Sequence, residues 1–280
     1  MSSHRSKKIF VWKLASQWQN AMERFLSQHL DKKLKTALRR GKNGFEYVDD
    51  LSYLETFYKR FGYYNLLLSD FLNGFSTHYA SVRMYHCCRP IDTSSYYEEG
   101  IRPLNYSRSD ELFRTYFLGN PEFPKVQEEH IKAAICHMAN SYKRESYVYF
   151  GMDDRFLIRH CGHYLIYGSE YIQGLATFIQ RQLGSDTKQY LKRFGKPTVF
   201  EVDIPVGFFS QDELSELARN ALYTWAYNVA RGKKGSPMID FAIEIQGNLP
   251  PELISGHYHP EEIPDPLRQY VVYRYRTMQS

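Results

Sequence analysis

The chain has 280 residues, 43% of them hydrophobic, 16% aromatic and 24% charged, enough for one large domain or a catalytic domain with a smaller module. No run approaches the ~20 apolar residues that span a bilayer. The opening MSSHRSKKIFVWKLASQWQN has neither the apolar core nor the cleavage site of a signal peptide. Four cysteines (Cys87, Cys88, Cys136, Cys161), two of them adjacent, exclude a disulfide scaffold at this length, so reduced thiols and a cytoplasmic location are expected.

The net charge of +5 is unevenly distributed. Residues 1–43 hold eleven Lys and Arg against Glu23 and Asp31, a net +9, which leaves −4 for the rest. Phe10, Leu14, Trp18, Met22, Phe25 and Leu30 recur at steps of three to five and continue to Leu34 and Leu38. This spacing predicts a long amphipathic helix with a basic polar face, ended by Gly41-Lys42-Asn43-Gly44. Further helices are expected over about Asp50–Phe61 and Tyr64–Phe75, the second broken at Asn73-Gly74. From about residue 80 short β-type runs alternate with helices. Ser81–Cys88 reads as a strand, Ser94–Glu99 as a helical turn closed by Gly100, and Lys125–Lys143 as a helix. Ser146–Phe150 and Phe156–Ile158 read as strands, and Glu170–Gln182 as a helix after a Gly-Ser turn. Thr198–Pro205 alternates as a strand does, Gln211–Ala230 is a strong helix with Ser210 placed to cap it, and Ile239–Ile245 and Gln269–Tyr275 are the last strands. Mixed elements without regular βαβ alternation point to an α+β fold.

Three segments, taken in order and spacing, resemble the ADP-ribosyltransferase superfamily, in its poly(ADP-ribose) polymerase-like branch with a His-Tyr-acid signature. The first is Tyr85-His86-Cys87-Cys88-Arg89-Pro90 with Tyr97-Glu98-Glu99-Gly100-Ile101-Arg102-Pro103. The second is Gly162-His163-Tyr164-Leu165-Ile166-Tyr167-Gly168-Ser169, and the third is Asp240-Phe241-Ala242-Ile243-Glu244-Ile245 leading into Leu249-Pro250-Pro251-Glu252. The resemblance covers about residues 80–280. It implies an ADP-ribosyltransferase-like split β-sandwich over 80–280, preceded by a basic helical extension over 1–79.

What the resemblance implies chemically is cleavage of the nicotinamide–ribose bond of NAD⁺, used as co-substrate without a metal, and transfer of a single ADP-ribose. His86 would bind the adenosine ribose, backbone groups of Cys87 the carboxamide, and Tyr167 would stack on nicotinamide. Asp240 stands first as the acid, with Glu244 four residues on as the alternative; an acid near the ribose stabilises the positive charge that develops there. Arg89 would approach the pyrophosphate, where a plain surface charge is the competing reading. Ser169 would contact ligand or cap the next helix, and Phe178 would stack or pack in the core. His160-Cys161-x-His163 and His257-x-His259 lack a tetrahedral set, so no metal is expected.

The basic front end adds an acceptor. Lysines and arginines along a helix suit a nucleic-acid backbone, RNA ahead of DNA. They equally suit an inhibitory antitoxin protein, or a packed helix with a solvated face. No membrane partner is expected, although Trp12 and Trp18 on the apolar stripe would suit an interface. The architecture resembles the toxin components of toxin–antitoxin and phage-defence systems. The competing functions are transfer to protein and a non-catalytic nucleotide-binding module of the same fold.

Overall fold

A computed structural model describes residues 8–27, 29–30, 32–40, 59, 64–141 and 146–275. In chain order the elements are β1 (Lys8–Phe10), α1 (Ala15–Phe25), α2 (Lys32–Arg40), α3 (Tyr64–His78), β2 (Tyr79–Cys88), α4 (Ser94–Glu99), α5 (Tyr106–Phe117) and α6 (Glu128–Ser141). Then come β3 (Tyr147–Gly151), α7 (Asp154–His160), α8 (Gly162–Tyr167), α9 (Glu170–Leu183), α10 (Thr187–Tyr190), β4 (Thr198–Pro205) and α11 (Gln211–Arg231). The chain ends with β5 (Ala242–Gln246), β6 (Ile254–Tyr258), β7 (Glu262–Asp265) and β8 (Val271–Arg274). Among the described residues one sheet has the order β5-β3-β2-β4-β6, with β1 parallel to β2, and β7 and β8 form an antiparallel pair. The fold is mixed α+β, as the alternating patterns indicated.

The chain divides into two compact units, residues 1–84 with 203–243 and residues 85–202 with 244–280. The basic front end is therefore no free-standing extension ending at residue 79; it shares a unit with 203–243. The expected long front helix is two helices. α1 ends as the Leu26 N–H closes onto the Met22 carbonyl, and the two then serve different partners: α1 packs on α3, α2 on α11. Phe10 belongs to neither, lying in β1 against Phe75 and Tyr79 at 5.2 and 5.3 Å between ring centres. Trp12 and Trp18 stack at 5.2 Å; the Trp18 indole donates to the Trp12 carbonyl and the Trp12 indole to that of Pro237. Both rings are buried, as are Met22, Leu30, Leu34 and Leu38 of the apolar stripe, while Leu14 stays exposed. The helix expected to break at Asn73-Gly74 runs on to His78, because Gly74 lies against Phe25: a Cβ there would fall 2.5 Å from that ring. The helix expected over Asp50–Phe61 lies outside the described residues except at Lys59, which is helical. α11 begins with a capping box between Ser210 and Glu213 and stops at left-handed Gly232, the punctuation its sequence carries.

The second unit holds a core of Phe113, Phe117, Leu165, Leu175 and Ile179, built where α9 packs on α5 and α6. Two expectations are corrected here, and one stretch without an assigned element is placed. Phe156–Ile158 is helical within α7, since Asp153 accepts from the Arg155 N–H and starts a turn that three apolar residues alone cannot reveal. Gly162–Tyr167 is the helix α8, where Gly162 lies so near the Pro264 carbonyl that a Cβ would sit 2.5 Å away. The last strand starts at Val271 because Gln269 and Tyr270 both take left-handed backbone, φ 52° and 61°.

Candidate functional site

β3 alternates cleanly: Tyr147 and Tyr149 face out, Val148 and Phe150 are buried. β5 does the same, with Glu244 and Gln246 exposed and Ile245 buried. The Gly247 N–H donates to the Ser146 carbonyl at 2.8 Å, just beyond the end of β5 and just before the start of β3. Neighbouring strands joined in that way run antiparallel, and such a bond links directly opposed residues. Counting inward residue for residue sets Glu244 across from Tyr149, both on the outward side of the pleat.

β2 is the other neighbour of β3, and Tyr85 is registered with Gly151. One residue on, the His86 Nδ1–H donates to the Tyr149 carbonyl at 3.0 Å, with its ring 5.7 Å from that of Phe150. A carbonyl only accepts, so Nδ1 carries the proton and Nε2 of the neutral ring is an acceptor. Burial lowers the His86 pKa, which keeps the ring neutral at pH 7. An exposed carboxylate and an aromatic ring 43% exposed thus share the outward side of β5 and β3, while His86, opposed to Phe150 in the β2–β3 register, lies on the other face of the sheet.

Other expected site residues lie elsewhere. Asp240 is exposed and precedes β5, in the first unit. Tyr167 is 2% exposed, its hydroxyl donating to Asp265 Oδ2 at 2.5 Å and accepting from Gln189 Nε2 at 3.1 Å. The ammonium groups of Lys188 and Lys192 stand 5.4 and 5.1 Å over its ring. Burial, reinforced by Asp265, pushes its hydroxyl well up. Its ring presents no open face to a flat ligand. Arg89 donates from Nε to the Phe194 carbonyl at 2.6 Å, from Nη1 to Leu165 at 2.8 Å, and from Nη2 to Lys192 at 2.5 Å and the Tyr273 hydroxyl at 3.3 Å. That leaves the guanidinium closing a structural clamp. Ser169 is the N-cap of α9, and Phe178 on the same helix lies 4.9 Å from the His137 ring. Burial raises the Cys87 thiol and pushes Cys88 up to about 12, so neither is a thiolate near neutrality.

Tyr149, Gln189 and Asp265 were missed by sequence reasoning. Tyr149 could have been found from the two-residue alternation of Tyr147-Val148-Tyr149-Phe150, but Ile166-Tyr167-Gly168-Ser169 carries the stronger local likeness. Asp265 sits in Ile263-Pro264-Asp265-Pro266, which reads only as a turn.

The neutral histidines give stability a direction with pH. Burial depresses the folded-state pKa of both His86 and His163 below the ordinary 6.5. Below 6.5 the unfolded chain therefore binds more protons than the folded one. Their contribution is complete above pH 6.5 and is lost as pH falls through the depressed folded values. Melting temperature should drop between pH 7 and 5, and His86→Gln should flatten that slope in a thermal-shift series. An unchanged slope would show that His86 takes up its proton equally in the folded and unfolded states.

Comparison with family models, with curated proteins and with solved structures returns no match for this chain.

Proposed function

We propose that the chain is an NAD⁺-dependent mono-ADP-ribosyltransferase of the split β-sandwich kind, with Tyr149 and Glu244 as its nicotinamide–ribose face. The observation that supports it is the Gly247–Ser146 bond between the neighbouring strands β5 and β3, from which Glu244 falls opposite Tyr149, both exposed. Those two groups fit the needs of the co-substrate. A flat ring can cover nicotinamide. The carboxylate can oppose the positive charge that develops on ribose as neutral nicotinamide departs. Glu244 takes the acid's role in this reading because it lies on β5 itself, whereas Asp240 precedes the strand. Tyr149 replaces Tyr167 because it alone of the two is exposed.

The proposed acceptor is nucleic acid, RNA ahead of DNA. On α2, Leu34 and Leu38 are buried while Lys32, Lys33, Arg39 and Arg40 are exposed, and only Lys35 is drawn inward to pair with Glu23 at 2.9 Å. Neutralising those four exposed cations should reduce the slope of log affinity against log salt for single-stranded RNA by about 3, at ~0.7 per phosphate contact. An unchanged slope in filter-binding titrations would remove α2 from the acceptor surface. The reading as a whole is tested with NAD⁺ labelled in its adenylate, incubated with total RNA, total DNA and protein. Label in RNA is the expected result, and label in protein alone would change the acceptor. Label in none, with no nicotinamide released, would overturn the activity.

A further inference from the structure

A cleft of about 360 Å³ opens in the second unit between α6, α8, α9 and α10, bounded by His137, His163, Glu170, Phe178, Arg181 and Lys188. It shares no residue with the Tyr149–Glu244 face. Its cations are under-used. Arg181 and Lys188 make no ion pair among the described residues. Lys188 is half-buried with its ammonium over the Tyr167 ring, and burial lowers its pKa against the opposing pull of Asp265. His163 Nδ1 is buried with no hydrogen-bond partner. Of the carboxylates nearby, Glu170 accepts the Tyr164 hydroxyl at 2.7 Å, and Asp265 is taken up by Tyr167 and by the Leu267 N–H. One wall is flat, formed by Phe178 against His137. The rim at Leu267 runs into the left-handed pair Gln269-Tyr270, a conformation that bulky side chains rarely take and that structures retain mainly where it serves a site.

A half-buried cation whose nearby carboxylate is engaged by other donors gains from an added anion; Lys188 is that cation, with Arg181 exposed at the rim. We propose that this cleft is a binding site for a phosphate monoester carrying a flat ring, of nucleoside-monophosphate size. Arg181 and Lys188 take the phosphate, His163 Nδ1 takes a polar atom of the ligand, and Phe178 covers the ring. The volume lies in the range of small-ligand sites, about 300–1,000 Å³. The site stands whether or not the chain transfers ADP-ribose, since it rests on other residues.

The test is calorimetric titration of the whole chain with AMP, with adenosine and inorganic phosphate as separate arms. AMP should bind at least about tenfold more tightly than either fragment, because ring and anion are held together. Arg181→Glu, at an exposed helix position, should lower AMP affinity at least about tenfold. Lys188→Met should do the same, and if it fails to fold, Arg181→Glu decides alone. Absence of AMP binding at millimolar concentration, adenosine binding as tightly as AMP, or an Arg181→Glu chain with unaltered affinity would each overturn the proposal.

Discussion

Glu244→Gln should lower the rate of nicotinamide release from NAD⁺ by at least about 100-fold, the size seen when one electrostatic stabiliser of a developing charge is removed. The substitution keeps the shape and removes the charge. Because Glu244 is exposed on β5, its loss should cost within about 0.5 kcal/mol of stability, so a fall in rate would not be a fall in folded protein. Asp240→Asn should leave the rate within about twofold, since Asp240 precedes the strand. Tyr149→Ala should raise the KM for NAD⁺ more than it lowers kcat, as loss of a stacking face does. Full activity in Glu244→Gln with loss in Asp240→Asn would return the acid to Asp240. Full activity in both would remove this sheet face from the chemistry.

Arg89→Met should destabilise the second unit by about 3–5 kcal/mol, a drop of roughly 10 °C in melting temperature. The guanidinium satisfies the carbonyls of Leu165, Lys192 and Phe194 at once, and methionine would leave all three short of a donor. Arg89→Lys should fall between, because a single ammonium cannot reproduce a planar fork with donors in three directions. Near-ultraviolet circular dichroism of the tyrosines follows the transition. If Arg89 instead served the pyrophosphate of NAD⁺, Arg89→Met would melt within about 2 °C of the parent and lose NAD⁺ affinity alone. That outcome would dissolve the clamp.

The comparison of sequence with structure separates by range. β2, α4, β4 and α11 were legible because each carries a period and a terminator of its own: Gly100 after Glu99, Ser210 with Glu213 before α11, Gly232 after it. Phe156–Ile158 and Gly162–Tyr167 were not, since a few apolar residues show no period and their helices are fixed by Asp153 and by close approach to Pro264. Of the candidate site, Glu244 stood out by residue type and spacing; so did His86, which the β2–β3 register sets on the other face. Tyr149 depended on knowing which strand neighbours which, and sheet order is written in no local stretch. Arg89 shows the same limit. Its charge is plain in Cys88-Arg89-Pro90, yet its partners lie 76 to 184 residues away, so nothing nearby distinguishes a clamp from a phosphate ligand.

The stacked indoles of α1 and its approach have a practical meaning for optical work. The chain's three tryptophans are Trp12, Trp18 and Trp225, all within the first unit and all buried. Trp225 also donates to Glu23, the carboxylate that holds Lys35 of α2. Indole emission is thus a private reporter of that unit, and it is seated beside the basic helix proposed to meet RNA. The tyrosine-rich second unit is silent in that channel, so the melting of one half and ligand capture by the other can be recorded on the unmodified chain without a label.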